Sequence, residues 1–279
     1  SVGVASVGTA RRGRERVAEE GHVDAQLGGY IDFSSVDWPS HVSFVVFFAG
    51  CDFRCPWCQN GDLIASGSGR RGKLSEVFGR LARSIPVVEA VVATGGEPTL
   101  QPRALAALFR GAKKLGLSTF LDTNGSVPAV VCELADTNLV DYVSIDLKAN
   151  PKPESYAKAT GLSPVEAEDY LARIWETVET CSRRGIRHEF RTTIVPGICD
   201  TREDVVEIAK RLGGAEVYWV QQYEPSPKAP LELYRAMRPT TPEVVRELAQ
   251  AAAEAAPFIK VFSKTRSIGI IEERPVQGA

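Results

Sequence analysis

The sequence predicts an α/β fold, a partial (β/α)6 barrel of the TIM-like type with parallel strands inside and helices outside. Short apolar runs alternate along the chain with segments whose apolar residues recur at helical spacing, as in repeated strand–helix units. The alternation shows no run of consecutive hairpins, so the strands are expected to run parallel. Right-handed connections between such strands favour a sheet that curls into an open barrel.

Short apolar segments bounded by turn-forming or polar residues are predicted as strands. They are residues 42–48, 90–93, 118–121, 141–145, 188–195 and 216–222, with a short last strand at 260–262. The helices are predicted at residues 74–85, 102–115, 127–134, 164–184, 202–212 and 241–256. Thr241 and Pro242 are typical of a helix start, and Gly185 of a helix end. The glycine-rich residues 67–72 are predicted as a flexible connection.

Length and composition indicate one globular domain. The chain of 279 residues can bury a large core, and its net charge of −2 gives no global signature of nucleic-acid binding. No apolar run is long enough to span a membrane. We expect a flexible N-terminal arm over residues 1–25 and a single domain over 26–279. The charged run 11–16 is interpreted as a solvated cluster, with a partner contact as the alternative.

Three cysteines lie within eight residues, directly after the first predicted strand. Cys51, Cys55 and Cys58 are spaced C-x₃-C-x₂-C. Thiolates are the usual ligands of iron–sulfur clusters, and a set this close can hold one cluster without help from distant chain. Three ligands would leave one iron of a four-iron cubane open to a small molecule. The motif therefore predicts an iron–sulfur cluster.

Two other uses of these thiols are less consistent with the sequence. Structural zinc takes four Cys or His ligands, commonly as two pairs, and no second C-x₂-C occurs. Disulfides form poorly within so tight a triplet, and six cysteines in 279 residues are sparse. Cys132, Cys181 and Cys199 stand apart and are expected to act as small hydrophobes. A reducing cytoplasm fits this cysteine usage best.

Polar residues follow nearly every predicted strand. Because the carboxyl ends of parallel strands meet at one edge of a sheet, these residues are expected to form a binding site there. The segments are residues 94–98 (Thr-Gly-Gly-Glu-Pro), 122–125 (Asp-Thr-Asn-Gly), 146–148 (Asp-Leu-Lys), 191–193 (Arg-Thr-Thr) and 221–223 (Gln-Gln-Tyr).

Each segment also has a purely structural alternative. Gly95 and Gly96 allow close approach of the backbone to an amino-acid ligand, but a tight turn needs glycines as well. The oxygens of residues 122–124 can take a cation or a ribose, or can form an Asx-type turn. Asp146 and Lys148 can grip a zwitterion, or can pair with each other at the rim of the sheet.

Together these motifs resemble the radical S-adenosylmethionine (SAM) superfamily, in which C-x₃-C-x-aromatic-C binds a four-iron cluster and a Gly-Gly-Glu loop holds the methionyl end of SAM. The aromatic position is Trp57, and the loop is Gly95-Gly96-Glu97. Within the superfamily the chain is most similar to glycyl-radical-enzyme activases, and among these to the group that activates the anaerobic ribonucleoside-triphosphate reductase. The segments that carry this similarity are residues 36–39, 55–60, 94–101, 122–125, 146–148 and 191–193.

The resemblance implies the cofactors and their contacts. A [4Fe-4S] cluster on Cys51, Cys55 and Cys58 would bind SAM and cleave it reductively to methionine and a 5′-deoxyadenosyl radical. No catalytic residue is implied beyond the cluster and the SAM site. The residues implied to contact SAM or to lie beside it are Trp57, Asn60, Gly95, Gly96, Glu97, Asp122, Thr123, Asn124, Asp146, Lys148 and Arg191.

The implied reaction is abstraction of a hydrogen atom from a glycine Cα of a partner glycyl radical enzyme. The expected partners are the anaerobic ribonucleoside-triphosphate reductase and an electron donor such as flavodoxin or ferredoxin. No membrane partner is expected, and nucleic acid is disfavoured rather than excluded. A radical SAM enzyme that modifies a small molecule or an RNA base is the alternative. A cluster protein without turnover is disfavoured because it leaves the strand-end residues unused.

Two residues depart from the pattern of the family. Ser40 stands where this group usually has Gly, and Gln59 stands where activases of the pyruvate formate-lyase type have His. The second departure argues against the substrate of that subgroup. The span between Cys58 and Gly95 contains no cysteine, so a ferredoxin-like insert is not expected and one cluster is predicted.

Overall fold

The computed structural model describes residues 17–275, which divide into two compact units. The first unit contains the described residues up to Asp52, together with Leu63–Thr123 and Ala129–Val143. The second unit contains Phe53–Asp62, Asn124–Pro128 and the described residues from Ser144 onward. Both units combine strands with helices, so the α/β class predicted from the sequence is confirmed.

Ten strands and nine α-helices lie within residues 17–275. The strands are β1 (Asp24–Ser34), β2 (Ser43–Phe48), β3 (Arg70–Lys73), β4 (Ala90–Gly95), β5 (Ser118–Thr123), β6 (Tyr142–Asp146), β7 (Arg187–Ile194), β8 (Val217–Gln222), β9 (Lys260–Thr265) and β10 (Gly269–Glu273). The helices are α1 (Ala18–Gly21), α2 (Leu74–Ser84), α3 (Pro102–Lys114), α4 (Pro128–Asp136), α5 (Pro153–Thr160), α6 (Pro164–Arg184), α7 (Arg202–Ala209), α8 (Glu232–Arg235) and α9 (Pro242–Ala255). In this part of the chain, no helix is both long and apolar enough to cross a membrane.

In the first unit the strand order is β3-β1-β2-β4-β5. The strands β2, β4 and β5 are parallel, and their register places Val45 beside Val92 and Val92 beside Phe120. These three side chains form a buried core with Trp38 and Tyr142. The strand β1 is antiparallel to both of its neighbours, β2 and β3.

In the second unit β7, β8 and β9 are parallel, and β10 is antiparallel to β9. Helix α9 packs against α7, β8 and β9. The strand β6 begins in the first unit and ends in the second. Directly after β6, Leu147 N donates to the carbonyl of Arg191 in β7 at 2.9 Å. The predominance of parallel pairs agrees with the predicted fold class.

Every predicted strand and helix is present, mostly with ends shifted by one to three residues. The long helix α6 has the predicted bounds because both of its ends are encoded locally. Ser163 and Glu166 form a reciprocal capping box at its start, and Gly185 ends it in the left-handed conformation with φ of 65°.

One expectation is wrong, and several elements were not predicted. Residues 67–72 are not simply a flexible connection, because Arg70–Lys73 form β3 and pair with β1. Antiparallel neighbours also occur at both ends of the described chain, in β1 with β2 and in β9 with β10. The strand β1 is missing from the predicted set, and so are β10 and the short helices α1, α5 and α8. The glycines Gly28 and Gly29 interrupt the apolar alternation that would have indicated β1.

The expected N-terminal arm can be compared with the structure only in part. Residues 1–16, and with them the charged run 11–16, lie outside the described residues. Residues 17–25 contain α1 and the start of β1, and both Val17 and Ala25 are buried. Glu20 of α1 pairs with Lys114 at 2.8 Å. These residues are therefore part of the folded first unit, while the single domain over 26–279 stays a prediction.

Replacing Ser40 by glycine is predicted to stabilise the protein. Ser40 has φ of 70°, in the left-handed region where a Cβ costs about 1–2 kcal/mol. Part of this gain is offset by the larger backbone entropy of glycine in the unfolded chain, so about 1 kcal/mol should remain. Anaerobic thermal unfolding of Ser40→Gly should show a midpoint raised by about 2 °C.

The matched control is Asn138→Gly. Asn138 also has a positive φ, 53°, but asparagine tolerates this conformation and the gain should be smaller. A midpoint lowered by Ser40→Gly would contradict the assignment of strain to Ser40.

Candidate functional site

The residues expected to bind the cofactors belong to both units, and each group is described within its own unit. The chain passes between the units inside two of the motifs, at the peptide bonds Asp52–Phe53 and Thr123–Asn124. The first unit holds Cys51, Gly95, Gly96, Glu97, Asp122 and Thr123. The second unit holds Cys55, Trp57, Cys58, Asn60, Asn124, Asp146, Lys148 and Arg191.

In the first unit the loop after β4 lies directly against the backbone that leads to Cys51. Gly96 N donates to the carbonyl of Phe48, and Glu97 N to that of Gly50, both at 2.8 Å. A Cβ on Gly96 would lie 2.1 Å from the Gly50 oxygen. Gly95 has φ of 125°, and a Cβ there would meet the Phe48 oxygen at 2.3 Å. Packing alone therefore requires both glycines, which is the structural alternative that the sequence left open.

The backbone around Cys51 is also held from a second side. Gly50 N donates to the carbonyl of Leu63 at 2.7 Å, and Cys51 N donates to that of Ile64 at 3.1 Å. The first cysteine therefore sits on a main chain that is hydrogen-bonded on both sides of the strand end.

Glu97 is fully buried and joins the loop after β4 to the end of β5. Its Oε1 atom accepts hydrogen bonds from Thr99 N at 3.0 Å, Thr99 Oγ1 at 2.6 Å and Thr123 Oγ1 at 2.8 Å. One residue before Thr123, the carboxylate of Asp122 accepts a hydrogen bond from Thr94 Oγ1 at 2.8 Å. The two carboxylates thus connect β4 to β5, a role that the sequence did not indicate.

In the second unit Cys55 and Cys58 close a turn, with Cys58 N donating to the carbonyl of Cys55 at 3.1 Å. Burial raises the pKa of the Cys55 thiol to about 12, and nearby Lys148 opposes this shift. Burial likewise raises the pKa of Cys58, against Lys148 and a backbone hydrogen bond from Asn60. Metal coordination removes the proton of a thiol outright. These thiols therefore suit ligation better than free nucleophilic chemistry.

Asp146 and Lys148 form an ion pair, with 2.6 Å between Lys148 Nζ and Asp146 Oδ2. Burial by itself lowers the pKa of Lys148, but the charge and hydrogen bond of Asp146 outweigh it and raise that pKa. Lys148 Nζ also lies 5.6 Å from the centroid of the Trp57 ring, a cation–π geometry. Asp146 and Lys148 therefore pair with each other, as one of the two alternatives from the sequence proposed, and Trp57 lies beside the pair.

Two further expected contacts are already engaged within the second unit. Asn124 Oδ1 accepts from Ser126 N at 2.9 Å, so the Asx-type turn is present. Arg191 is held by Glu189, with 2.7 Å between Arg191 Nη2 and Glu189 Oε1. The other oxygen of Glu189 accepts from Trp219 Nε1 at 2.8 Å. The guanidinium is thus fixed by a buried network.

The sequence motifs did not indicate the segment 224–235, which follows β8 and lies against the cysteine-bearing residues 53–62 of the same unit. Leu231 N donates to the carbonyl of Pro56 at 3.1 Å. The signal available in the sequence was its proline content, since residues 225, 227 and 230 are all proline. Prolines at this density restrict the backbone and indicate a fixed extended segment.

In residues 17–275, no group of three or more His, Cys, Asp or Glu side chains lies close enough to hold a single metal ion. A cubane does not require such a group, because each thiolate binds a different iron. The chemistry of the donor set, three cysteine sulfurs, suits an iron–sulfur cluster.

Comparisons with known proteins agree with the resemblance drawn from the motifs. A family model described as the radical SAM superfamily matches residues 45–212. A proposed glycyl-radical enzyme activating enzyme of Methanocaldococcus jannaschii is 34% identical over 230 residues, which cover 82% of this chain and 92% of that protein. The pyruvate formate-lyase 1-activating enzyme of Escherichia coli K12 is 30% identical over 68% of this chain and 74% of that protein.

Other similar proteins have different names. A 7-carboxy-7-deazaguanine synthase of Thermococcus kodakarensis is 35% identical over 48% of this chain and 55% of that protein. The structure is similar to a radical SAM methyltransferase from Sphaerobacter thermophilus, with a TM-score of 0.63, 17% identity and coverage of 82% of this chain and 68% of that one. At this identity the likeness concerns the fold alone, which is the radical SAM fold.

The role of Glu97 is tested by Thr123→Val, which removes one hydrogen bond to a buried carboxylate. Hydrogen bonds to charged groups contribute about 1.5–3 kcal/mol, so the free energy of unfolding should fall by about 2 kcal/mol. Thr177→Val is the control, because Thr177 Oγ1 donates to a neutral carbonyl, that of Gly125, at 2.8 Å. Thr177→Val should lower the free energy of unfolding by about 1 kcal/mol. Anaerobic denaturant unfolding that leaves Thr123→Val as stable as the parent would contradict this role.

Proposed function

This chain belongs to the radical SAM superfamily, and we propose that it activates a glycyl radical enzyme by taking a hydrogen atom from a glycine of that partner. The family brings two cofactors, a [4Fe-4S] cluster and SAM. The observation that carries the proposal is the 34% identity, over 82% of the chain, to the Methanocaldococcus jannaschii protein named as an activating enzyme of this kind.

The cluster is assigned to Cys51, Cys55 and Cys58. When bound and reduced, it supplies one electron that cleaves SAM to methionine and a 5′-deoxyadenosyl radical. The protein positions the thiols. The main chain before Cys51 is fixed by hydrogen bonds, and Cys55 is buried. Such surroundings exclude water and competing hydrogen donors from a reactive species.

The charged pair Asp146–Lys148 is assigned to the methionyl end of SAM. Lys148 would face the carboxylate of this zwitterion, and Asp146 would face its ammonium group. Binding of SAM would then replace the ion pair between Asp146 and Lys148 by two charge-matched contacts with the ligand. Trp57, which is 6% exposed, offers an aromatic surface beside the adenine. The other residues proposed at or beside the SAM site are Asn60, Gly95, Gly96, Glu97, Asp122, Thr123, Asn124 and Arg191.

The anaerobic ribonucleoside-triphosphate reductase is the proposed partner. Gln59 in place of the histidine of pyruvate formate-lyase activases argues against that subgroup's substrate, and residues 36–39 and 94–101 resemble the reductase-activating group. Flavodoxin or ferredoxin would supply the electron. A reducing cytoplasm is the proposed location, and all six cysteines are free thiols in the structure.

A second candidate is a radical SAM enzyme that modifies a small molecule or an RNA base. It is favoured by the similarity to a 7-carboxy-7-deazaguanine synthase, which covers about half of each chain. The activase proposal takes precedence because the similarity that supports it extends over most of the chain.

The proposal is tested by following the abstracted hydrogen atom. The reconstituted protein is reduced with dithionite under argon and mixed with SAM and the anaerobic reductase of the same organism, prepared with α-deuterated glycine. We expect deuterium in 5′-deoxyadenosine and a glycyl-radical signal in the electron paramagnetic resonance (EPR) spectrum of the reductase. This signal should be split into a doublet only in reductase prepared with unlabelled glycine, because the splitting comes from the remaining α-hydrogen. Cleavage of SAM that requires a small molecule or RNA, with no radical on the reductase, would contradict the proposal.

The proposed SAM contact is tested in the same assay with Asp146→Asn. Loss of the negative charge opposite the SAM ammonium group should raise the SAM concentration needed for half-maximal cleavage by about tenfold. Iron content should stay at the parental value, because the cysteines are untouched. An unchanged SAM requirement would mean that Asp146 serves only as the partner of Lys148.

The cluster assignment is tested by Cys55→Ala, which leaves two thiolates that cannot retain a cubane. Iron and sulfide analysis after anaerobic reconstitution should find almost none of either. Cys181→Ala is the matched control, since Cys181 is also buried and lies outside the motif. Near-normal iron in Cys55→Ala would contradict the ligand assignment.

A further inference from the structure

The segment 224–235, which we call the strap, is a closed loop in the second unit. Tyr223, directly before it, donates its hydroxyl hydrogen to the carbonyl of Tyr234 at 2.5 Å, and the two buried rings meet edge to face. Inside the loop, Arg235 Nε donates to the carbonyl of Ala229 at 2.9 Å. The strap is therefore held in shape by its own contacts.

The strap binds the backbone of residues 53–62, which we call the cysteine loop. Leu231 N donates to the carbonyl of Pro56 at 3.1 Å. Ser226 Oγ donates to the carbonyl of Gln59 at 3.1 Å, and Gln59 Nε2 donates in return to the carbonyl of Glu224 at 3.2 Å. Pro56 directly follows Cys55 in the chain, and Gln59 directly follows Cys58. The hydrogen bonds therefore hold the residue next to each cysteine.

A close backbone approach and an ion pair extend this contact to the end of the cysteine loop. A Cβ on Gly61 would lie 2.1 Å from the carbonyl oxygen of Lys228 and 2.8 Å from Pro230 Cδ. The next residue, Asp62, pairs with Lys228 at 2.8 Å. Only a residue without a side chain fits at Gly61, so the strap and the cysteine loop are matched in shape as well as in hydrogen bonds.

The base of the strap also supports the aromatic residue of the motif. The rings of Tyr223 and Trp57 meet edge to face, with 6.4 Å between their centroids. Trp57 lies between Cys55 and Cys58 in the chain and stands beside Lys148. Every contact of this network lies within the second unit, and the strap itself contains none of the residues that the sequence motifs singled out as ligands.

We propose that the strap is a positioning element that presents Cys55 and Cys58 to the cluster. A free loop of this length would lose about 1 kcal/mol or more of backbone entropy per residue on binding metal. A loop already fixed by the strap avoids that loss, which is the general advantage of preorganisation. This inference rests on the proposed ligation by the two cysteines, and it assigns the strap no direct contact with iron.

The test compares Gly61→Ala with Gly213→Ala in the full-length, reconstituted protein. Gly213 is a matched control because its Cβ position has open space around it. Transfer of iron to the chelator ferrozine is followed under argon. Mutation of a residue that orients metal ligands typically weakens metal affinity about 10–100-fold. Gly61→Ala should therefore release iron about tenfold faster or more than the parent protein. Gly213→Ala should release it at the parental rate, with the parental EPR spectrum of the reduced cluster.

A second pair of variants keeps the test decisive if Gly61→Ala does not fold. Lys228→Met removes the ion pair between Lys228 and Asp62. Because this pair is exposed to solvent, its loss should have a smaller effect, a rise of about threefold in the rate of iron release. Lys228→Arg should restore the parental rate. The EPR spectrum of the reduced cluster should shift in Gly61→Ala and Lys228→Met, a change that general destabilisation far from the cluster would not produce.

Failure of this inference can be told apart from failure of the proposed site. Parental iron release and EPR spectra in every strap variant, while Cys55→Ala loses its iron, would overturn the positioning role of the strap alone. Retention of iron by Cys55→Ala would overturn the ligation on which it rests.

Discussion

The arrangement of the first unit depends on the close approach of two backbones at the ends of β2 and β4. Gly95 and Gly96 lie so close to the carbonyls of Phe48 and Gly50 that a Cβ atom at either glycine would clash with a carbonyl oxygen. This contact fixes the main chain just before Cys51. Glu97, which follows directly, is held in turn by Thr99 and Thr123. The motif that suggests a SAM-binding loop is therefore also a structural joint between three strand ends.

The second unit fixes its part of the candidate site by a different device. Its cysteine loop belongs to no strand or α-helix, and it depends on long-range partners for its shape. The strap supplies hydrogen bonds on one side of each cysteine, and the turn from Cys55 to Cys58 supplies another. Asp146 and Lys148 lie at the end of β6 and form an ion pair beside Trp57. Within each unit, the proposed ligands are thus surrounded by groups whose own positions are determined by packing.

Local signals explain which parts of the fold could be predicted from the sequence. The helix α6 was predicted with its correct ends because a capping box and a left-handed glycine mark them within a few residues. The strand β1 was missed because Gly28 and Gly29 disrupt its apolar alternation. Short helices such as α8 have too few residues to establish a period.

The same distinction applies to the candidate site. The cysteine spacing is a local pattern, so it could be found without the fold. The bond between Glu97 and Thr123 depends on how the ends of β4 and β5 are placed, and the contact between Pro56 and Leu231 joins residues far apart in sequence. No periodicity or spacing encodes such pairs. The sequence therefore indicated the residues that we propose for the chemistry, and the structure showed which other residues hold them in place.

We propose that three cysteines leave one iron of a cubane open to SAM. The most direct test is the EPR and electron–nuclear double resonance spectrum of the reduced protein, recorded with SAM labelled with ¹⁵N at its amino group. We expect SAM to change the EPR signal of the cluster and the ¹⁵N nucleus to show hyperfine coupling to it. A cluster signal unchanged by SAM, with no ¹⁵N coupling, would rule out binding of SAM at an open iron.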